Sequence, residues 1–382
     1  MGFGKRNRVD LNPLHYNIGL LGESGIGKTT IIKEMCEKLA PETIDGAPGY
    51  LHLDIGKEDG AEAIEGIFTE KVKDWAKFNQ IINDIVKNKY TDPDYANLQT
   101  VIVDTYDELM RIAEPEVVRL HNKENPDKPK ITSINSAFGG FGRGLDKALE
   151  IVFDKLWELK EVGVHFIIIG HTKSKDIEDP TTGESYSTLT ANASQKYFTH
   201  LKTKLHFLGV GYINRQIVRE KTGKKNIKTN EDIFRGVVKN EARVISFRDD
   251  NFSVDSKSRF ADITNELIPF NVDELIKAMQ DAILTESRKG GRTDEENKAL
   301  QKTADINATK AAVEYAKAKV DEENYATESA KYIATIQAKF ADCDDEIKTA
   351  IKQVMAENNI KNFRQENIPL AVLRTIVSFL PA

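Results

Sequence analysis

Three observations predict an α/β fold with a mainly parallel central sheet and a small helical domain behind it. Short apolar runs alternate with amphipathic helical stretches along the first two thirds of the chain, the order that builds a sheet flanked by helices. Two runs, Thr100 to Asp104 and His165 to Ile169, are continuously apolar or β-branched, as strands buried on both faces are. From about Asn271 onward the pattern is helical throughout.

In chain order, residues 1–15 are polar and read as a loose arm. Tyr16 to Leu21 is a strand, and a glycine-rich loop leads into a helix whose Ile31, Ile32, Met35, Cys36 and Leu39 recur at helical spacing and which Pro41 ends. Gly49 to Asp54 is a second strand. Trp75, Phe78, Ile81, Ile82, Ile85 and Val86 mark an amphipathic helix. The strand Thr100 to Asp104 follows, then a loop over His121 to Lys130, a helix over Leu145 to Leu159 and the strand His165 to Ile169. After Thr172 the sequence turns polar, with Asp179-Pro180-Thr181-Thr182-Gly183 as a turn. Lys204 to Phe207, Tyr212 to Glu220 and Val244 to Arg248 finish the sheet, with Lys221 to Lys225 as a hairpin tip. Beyond a Gly290-Gly291 linker, two amphipathic segments, Ile347 to Met355 and Val372 to Leu380 after Pro369, form a helical pair.

At 382 residues, the chain exceeds one typical domain. The division expected is an arm (1–15), a core (16–286), a linker (287–296) and a helical C-terminal domain (297–382). With 40% apolar and 30% charged residues the composition is that of a soluble protein, and no apolar run approaches the ~18 residues of a membrane span. The basic residues Lys5 and Arg6 have no apolar stretch behind them to make a secretory signal, so a cytoplasmic location is expected. Cys36 and Cys343 are far apart and outside any Cys/His cluster, which points to neither a disulfide framework nor a zinc site. A net charge of −6 excludes a uniformly basic coat, though not a basic channel.

Gly22-Glu23-Ser24-Gly25-Ile26-Gly27-Lys28-Thr29, with Thr30 behind it, fits G-x-x-x-x-G-K-[ST]. Glycines let backbone N–H groups face phosphate oxygens, the lysine neutralises the terminal phosphates and the hydroxyl holds Mg²⁺. The loop lies between a strand and a helix, whose positive end adds to the cradle. Asp104, ending its strand, is the carboxylate expected to join Thr29 in holding the metal; Asp107 or Glu108 could share that work. Glu58 and Asp54, at the end of the second strand, are the carboxylates expected to orient the attacking water. His171 follows its strand directly and is expected beside the terminal phosphate.

The order of these parts resembles the phage RecA-like P-loop ATPases of the single-strand-annealing type, relatives of RecA, the bacterial RadA protein and the DnaB helicases. The resemblance rests on Gly22 to Thr29, the strand ending in Asp104, Gly170-His171-Thr172-Lys173 and Asp255 to Phe260, and covers about residues 14–270. It implies a RecA-like core, ATP with Mg²⁺, a ring or filament, host cytoplasm if phage-encoded, and single-stranded DNA and a single-strand-binding protein as partners. It also implies that Lys257 and Arg259, in a Lys-x-Arg-Phe element, reach a neighbour's nucleotide. The sequence departs from RecA at His171, where RecA has glutamine. DNA contact is expected from two loops: one with Phe138, Phe141 and Arg143 among glycines, the other with Lys173 and Lys175. Stacking and phosphate neutralisation are what such contact requires. Annealing or remodelling of single strands leads, with a ring helicase motor or a P-loop partner switch without DNA as alternatives.

Overall fold

The computed structural model describes residues 7–57, 60–178, 182–225, 231–247, 254–260, 263, 267–363, 365 and 368–381. Its elements run β1 (Ile18–Gly22), α1 (Lys28–Leu39), β2 (Tyr50–Ile55), β3 (Thr69–Val72), α2 (Trp75–Asn88), α3 (Pro93–Ala96), β4 (Thr100–Asp104), α4 (Tyr106–Glu124), α5 (Arg143–Glu161), β5 (His165–Glu178), β6 (Ser185–Ala191), α6 (Gln195–Lys204), β7 (Phe207–Lys225), β8 (Asp232–Ser246), β9 (Lys257–Ser258), β10 (Ile268–Pro269), α7 (Val272–Arg288), α8 (Asp294–Lys339), α9 (Asp345–Glu357) and α10 (Leu370–Ser378).

The sheet has the order β10-β8-β7-β1-β5-β4-β2-β3, with β6 paired to β5 and β9 to β7. β1 is parallel to β5 and β7, and β4 is parallel to β5 and β2. The expected α/β core with a mainly parallel sheet is therefore the one found. The chain leaves β1 through α1 and enters β2 with β5 and β4 lying between them. A crevice at the carboxyl ends of the strands, where strand order reverses in this way, is where open α/β sheets bind ligands.

Local chemistry explains the main elements. α2 is capped by Asp74, which accepts from Lys77 N at 2.9 Å, and buries Phe78, Ile81, Ile82, Ile85 and Val86. α7 is capped by Asn271, which accepts from the amides of Asp273 and Glu274, satisfying donors that a helix start leaves open. One apolar cluster joins Leu20, Ile32, Met35, Cys36, Ile169, Phe207, Phe260, Leu275 and Met279.

Several expectations need correcting. The described part of the loose arm is tied down: Leu14 is buried, and Gln301 accepts from Leu11 N and donates to Asp10. The loop expected from His121 begins later, because α4 continues through Pro115 to Glu124. The polar stretch after Thr172 is the outer half of β5, paired antiparallel with β6 from Thr172↔Ala191 to Glu178↔Ser185; its turn residues Asp179 to Thr181 lie outside the described residues. Likewise Lys221 to Lys225 belong to β7 rather than to a hairpin tip, and β8 joins β7 antiparallel, with β10 beyond it at the edge. Arg248 also lies outside the described residues.

The molecule divides into two compact units, Met1–Ala312 and Val313–Ala382. A turn at 289–293 separates α7 from α8, while the division between units falls inside α8. The second unit has its own small core of Ile336, Ile351, Ile360, Ile368, Leu373 and Ile376, and Tyr325 donates to Ile368 O at 2.6 Å. Among the described residues no helix is long and apolar enough to cross a membrane.

Candidate functional site

The carboxyl ends of β1, β5, β4 and β2 bring the sequence-predicted residues to one edge. Gly22 is in register with His171, and Asp54 with Asp104. Between them lies a cleft of about 340 Å³ lined by Ser24, Gly25, Gly27, Lys28, Thr29, Asp54, Asp104 and His171, together with Ala61 of a 3-10 turn and Ile64 just beyond it.

The loop over Gly22 to Gly27 turns because two of its glycines have positive φ, 76° at Gly25 and 105° at Gly27, a region costly for side-chain-bearing residues. A Cβ on Gly22 would come within 2.9 Å of Gly211 O, so the loop's start needs glycine for close packing. α1 then begins at Lys28, and Gly27, Lys28, Thr29 and Thr30 at its start line the cleft, where a helix start adds its positive end. Lys28 is buried, and its Nζ donates to Gly22 O at 3.1 Å and Glu23 O at 3.0 Å, which holds the ammonium inside the loop.

Thr29 Oγ1 donates to Asp104 Oδ2 at 2.6 Å. The same oxygen lies 3.1 Å from His52 Nε2, while His52 Nδ1 is 3.0 Å from Thr69 Oγ1. His52 is only 1% exposed. A hydroxyl and a carboxylate held together beside a lysine are the hard-oxygen donor set that Mg²⁺ takes when it bridges a nucleotide's phosphates. Thr29 and Asp104 are therefore the residues that would hold the metal, and the observed pair fits it.

Asp54 is 5% exposed and faces the cleft from β2; Glu58 lies outside the described residues. His171 Nδ1 approaches Asp107 Oδ2 at 3.5 Å. Burial pulls the Asp107 carboxyl up, but hydrogen bonding from His171 and from its own amide outweighs it and holds the pKa below its ordinary value. Glu108 instead pairs with Arg111 and lies against Gly56, just past the end of β2, outside the cleft lining.

Lys257 and Arg259 are elsewhere. β9 pairs with the first residues of β7, Phe207↔Ser258 and Leu208↔Lys257, whereas Gly211 is the residue beside Gly22. The two cations are therefore at the opposite edge of the sheet, where Lys257 donates to Lys202 O at 2.6 Å and Arg259 to Thr203 O. Burial and the charges of Arg259 and Lys202 lower the Lys257 pKa.

The two loops expected to meet DNA adjoin each other. Lys196, at the start of α6, donates to Gly142 O at 2.9 Å and pairs with Asp146 at 2.6 Å. Phe141 is fully exposed with φ 52°, Phe138 has φ 54° and packs edge-on to His121, and Arg143 opens α5 on the surface. Lys173 and Lys175, exposed on β5, donate to Ala193 O and Gln195 Oε1. Sequence reasoning missed His52: a lone histidine in an apolar strand signals nothing until the fold sets it against Asp104.

No curated protein matches the sequence. Among solved structures the chain is similar to a KaiC-like protein of the hyperthermophilic archaeon Pyrococcus horikoshii OT3, at 14% identity and a TM-score of 0.32 over 69% of this chain and 94% of that one. The AAA domain family model matches residues 15–260, a span that takes in the phosphate loop, Asp104, His171 and the Lys257–Phe260 element. With its phosphate loop at the end of β1 and its mainly parallel sheet, the chain belongs to the AAA domain family of P-loop ATPases.

Proposed function

We propose that the protein hydrolyses ATP and couples hydrolysis to single-stranded DNA, as an oligomer that anneals or remodels strands in phage recombination or replication. The observation that carries the hydrolytic part is the Thr29–Asp104 pair beside Lys28. Lys28 would leave the loop carbonyls for the terminal phosphates, and the amides of the loop would hold the same oxygens. Mg²⁺, when bound at Thr29 and Asp104, neutralises charge on those phosphates. A water attacks the γ-phosphorus as the bond to the bridging oxygen breaks, and its proton passes to a carboxylate. Asp54, which is buried and lines the cleft, would receive it; Glu58, four residues on in sequence, is the alternative. His171, joined to Asp107, would register whether the terminal phosphate is present and pass that to α4 and to the β5–β6 arm that begins at Thr172.

The DNA part is supported by the adjoining loops, where an exposed aromatic and several cations share one surface. The phage setting rests on the resemblance in motif order. Phosphate release with and without single-stranded DNA tests the reading. Stimulation by the strand is expected; hydrolysis indifferent to DNA would leave an ATPase whose partner is something else.

A further inference from the structure

Beyond Gly211, the last residue of β7 beside β1, β7 and β8 continue as a two-stranded ribbon from Tyr212↔Val244 to Lys225↔Asp232. At about 3.3 Å per residue this arm is roughly 40 Å long. Among the described residues, 212–225 and 231–243 pair with no other strand; most of 212–224 and 231–243 are exposed and none is buried. From 212 to 243 the sequence holds nine Lys and Arg against four Asp and Glu, a surplus of five positive charges in a chain of net charge −6.

We propose that this ribbon is an arm that binds duplex nucleic acid in a groove. Cross-strand register puts Arg215, Ile217, Arg219 and Lys221 of β7 on one face with Val238 and Phe234 of β8. Ile217, Val238 and Phe234 are 63%, 47% and 52% exposed, an apolar strip between cations. Arg235 is on the other face, opposite Glu220, and Lys239 is the extra residue of a bulge between Gln216 and Ile217. Arg215 pairs with Glu241 and Lys221 with Asp232; among the described residues Arg219, Lys224, Arg235 and Lys239 have no ion-pair partner.

This arrangement suits a duplex. The major groove, about 12 Å wide, admits a two-stranded ribbon, and the arm's length covers about one helical turn of some 34 Å. Cations on both faces and at the bulge can meet the phosphates of both groove walls, while the apolar strip meets base edges such as the thymine methyl. A second copy of the ribbon is a poor occupant, because each would bring its own surplus of five positive charges to the pairing. The arm is separate from the Phe138–Phe141 loop, so the inference stands or falls apart from the single-strand reading.

The test uses the full chain with Arg219→Glu, Arg235→Glu and Lys239→Glu combined, all exposed positions outside the ATP cleft. Binding to a labelled duplex of about 30 base pairs, some three helical turns, is measured by anisotropy across a salt series. The variant should bind at least ~10-fold more weakly, with a salt slope shallower by about 2 to 3, one contact's worth for each lost cation, while basal ATP turnover is unchanged. No duplex binding by the wild type, or equal binding by the variant, overturns the proposal. So does a fall in oligomeric mass on charge reversal without loss of duplex, which would make the arm a contact between copies. If Phe138→Ala/Phe141→Ala abolishes duplex binding and the ribbon variant does not, the arm is excluded and the single-strand reading survives. If single strands leave hydrolysis unchanged while the ribbon variant loses the duplex, the reverse holds.

Discussion

Asp104 Oδ2 accepts from Thr29 and faces His52 Nε2, so this one oxygen is fixed from both sides. His52 touches no reacting atom; it is a positioning residue, oriented in turn by Thr69. Partners of this kind are worth ~10- to 100-fold in metal affinity elsewhere, so His52→Ala should raise the Mg²⁺ concentration for half-maximal hydrolysis by about that factor. An unshifted Mg²⁺ titration, with only thermal stability lowered, would make His52 purely structural. Lys28→Ala should instead lower turnover at least ~100-fold whatever the Mg²⁺, because it removes charge from the transferring phosphoryl group; wild-type turnover in that variant sinks the phosphate-loop assignment. A third residue sets the response to acid. His165 stacks on His15 with ring centroids 4.7 Å apart, and burial, aided by the charges of His15 and Lys160, pushes its pKa down to about 3. Burial and Arg259 lower His206 to about 4, though solvent screening makes its share smaller. The unfolded chain takes up these protons near pH 6.5 and the folded chain does so only near pH 3 to 4. Stability is therefore full above about pH 6.5 and falls below it, at most by about 1.4 kcal/mol per pH unit per group. Urea midpoints should decline from pH 7 to 4.5, less steeply in His165→Phe; identical slopes would clear His165 of the effect.

Elements differ in how openly the sequence shows them. Strands buried on both faces are continuous apolar runs, so β1, β2, β4 and the inner half of β5 can be read directly. The outer halves of β5, β7 and β8 leave the sheet and have water on both faces, so nothing enforces an apolar alternation there. That is why a polar turn-rich stretch and a hairpin tip were expected where paired strands lie. α6 is ten residues long with Ser194 as its cap, too short for periodicity to declare it. α4 passes through Pro115 because Leu109, Met110, Ala113 and Val117 are buried around that point, and packing outweighs the local penalty. The site divides along the same line: Gly22 to Thr29 is a motif at fixed spacing and Asp104 ends a legible apolar strand, whereas the pairings of His52 and of His171 with Asp107 exist only through strand register and the start of α4. At this scale belongs the loop before α5. Phe141 exposes its whole ring in the left-handed region, where a bulky residue is an outlier, and burial cannot be what keeps it there. Replacing Phe138 and Phe141 together by alanine should weaken single-strand binding by ~1 to 3 kcal/mol per stacked base; an unchanged isotherm would reduce the loop to a connector.

Across the whole molecule, the sheet separates two sets of charges that a shared site between copies would bring together. The phosphate loop follows the carboxyl end of β1, and β9 pairs at the amino end of β7. At about 3.3 Å per residue, the four steps from Phe207 to Gly211 put roughly 13 Å of strand between them, more than either side chain can span within one subunit. Lys257 and Arg259 can serve a γ-phosphate only by crossing to a neighbouring copy. Within the subunit they donate to the last carbonyls of α6, at Lys202 and Thr203, a favourable place for cations and a complete structural role in itself. Subunit mixing separates the two roles. Arg259→Ala keeps its cradle and lacks the finger; Lys28→Ala lacks the cradle's ammonium and keeps the finger. Each should be inactive alone, by as much as ~10³ to 10⁵ where such a finger acts. Mixed, they form some interfaces with one intact cradle facing one intact finger, and a fraction of wild-type turnover should return. A loss that arose only from the frayed end of α6 would lie within the mutated subunit and would not be restored by a partner. Full activity of Arg259→Ala alone, or an active enzyme that sediments as a monomer, would refute the shared site.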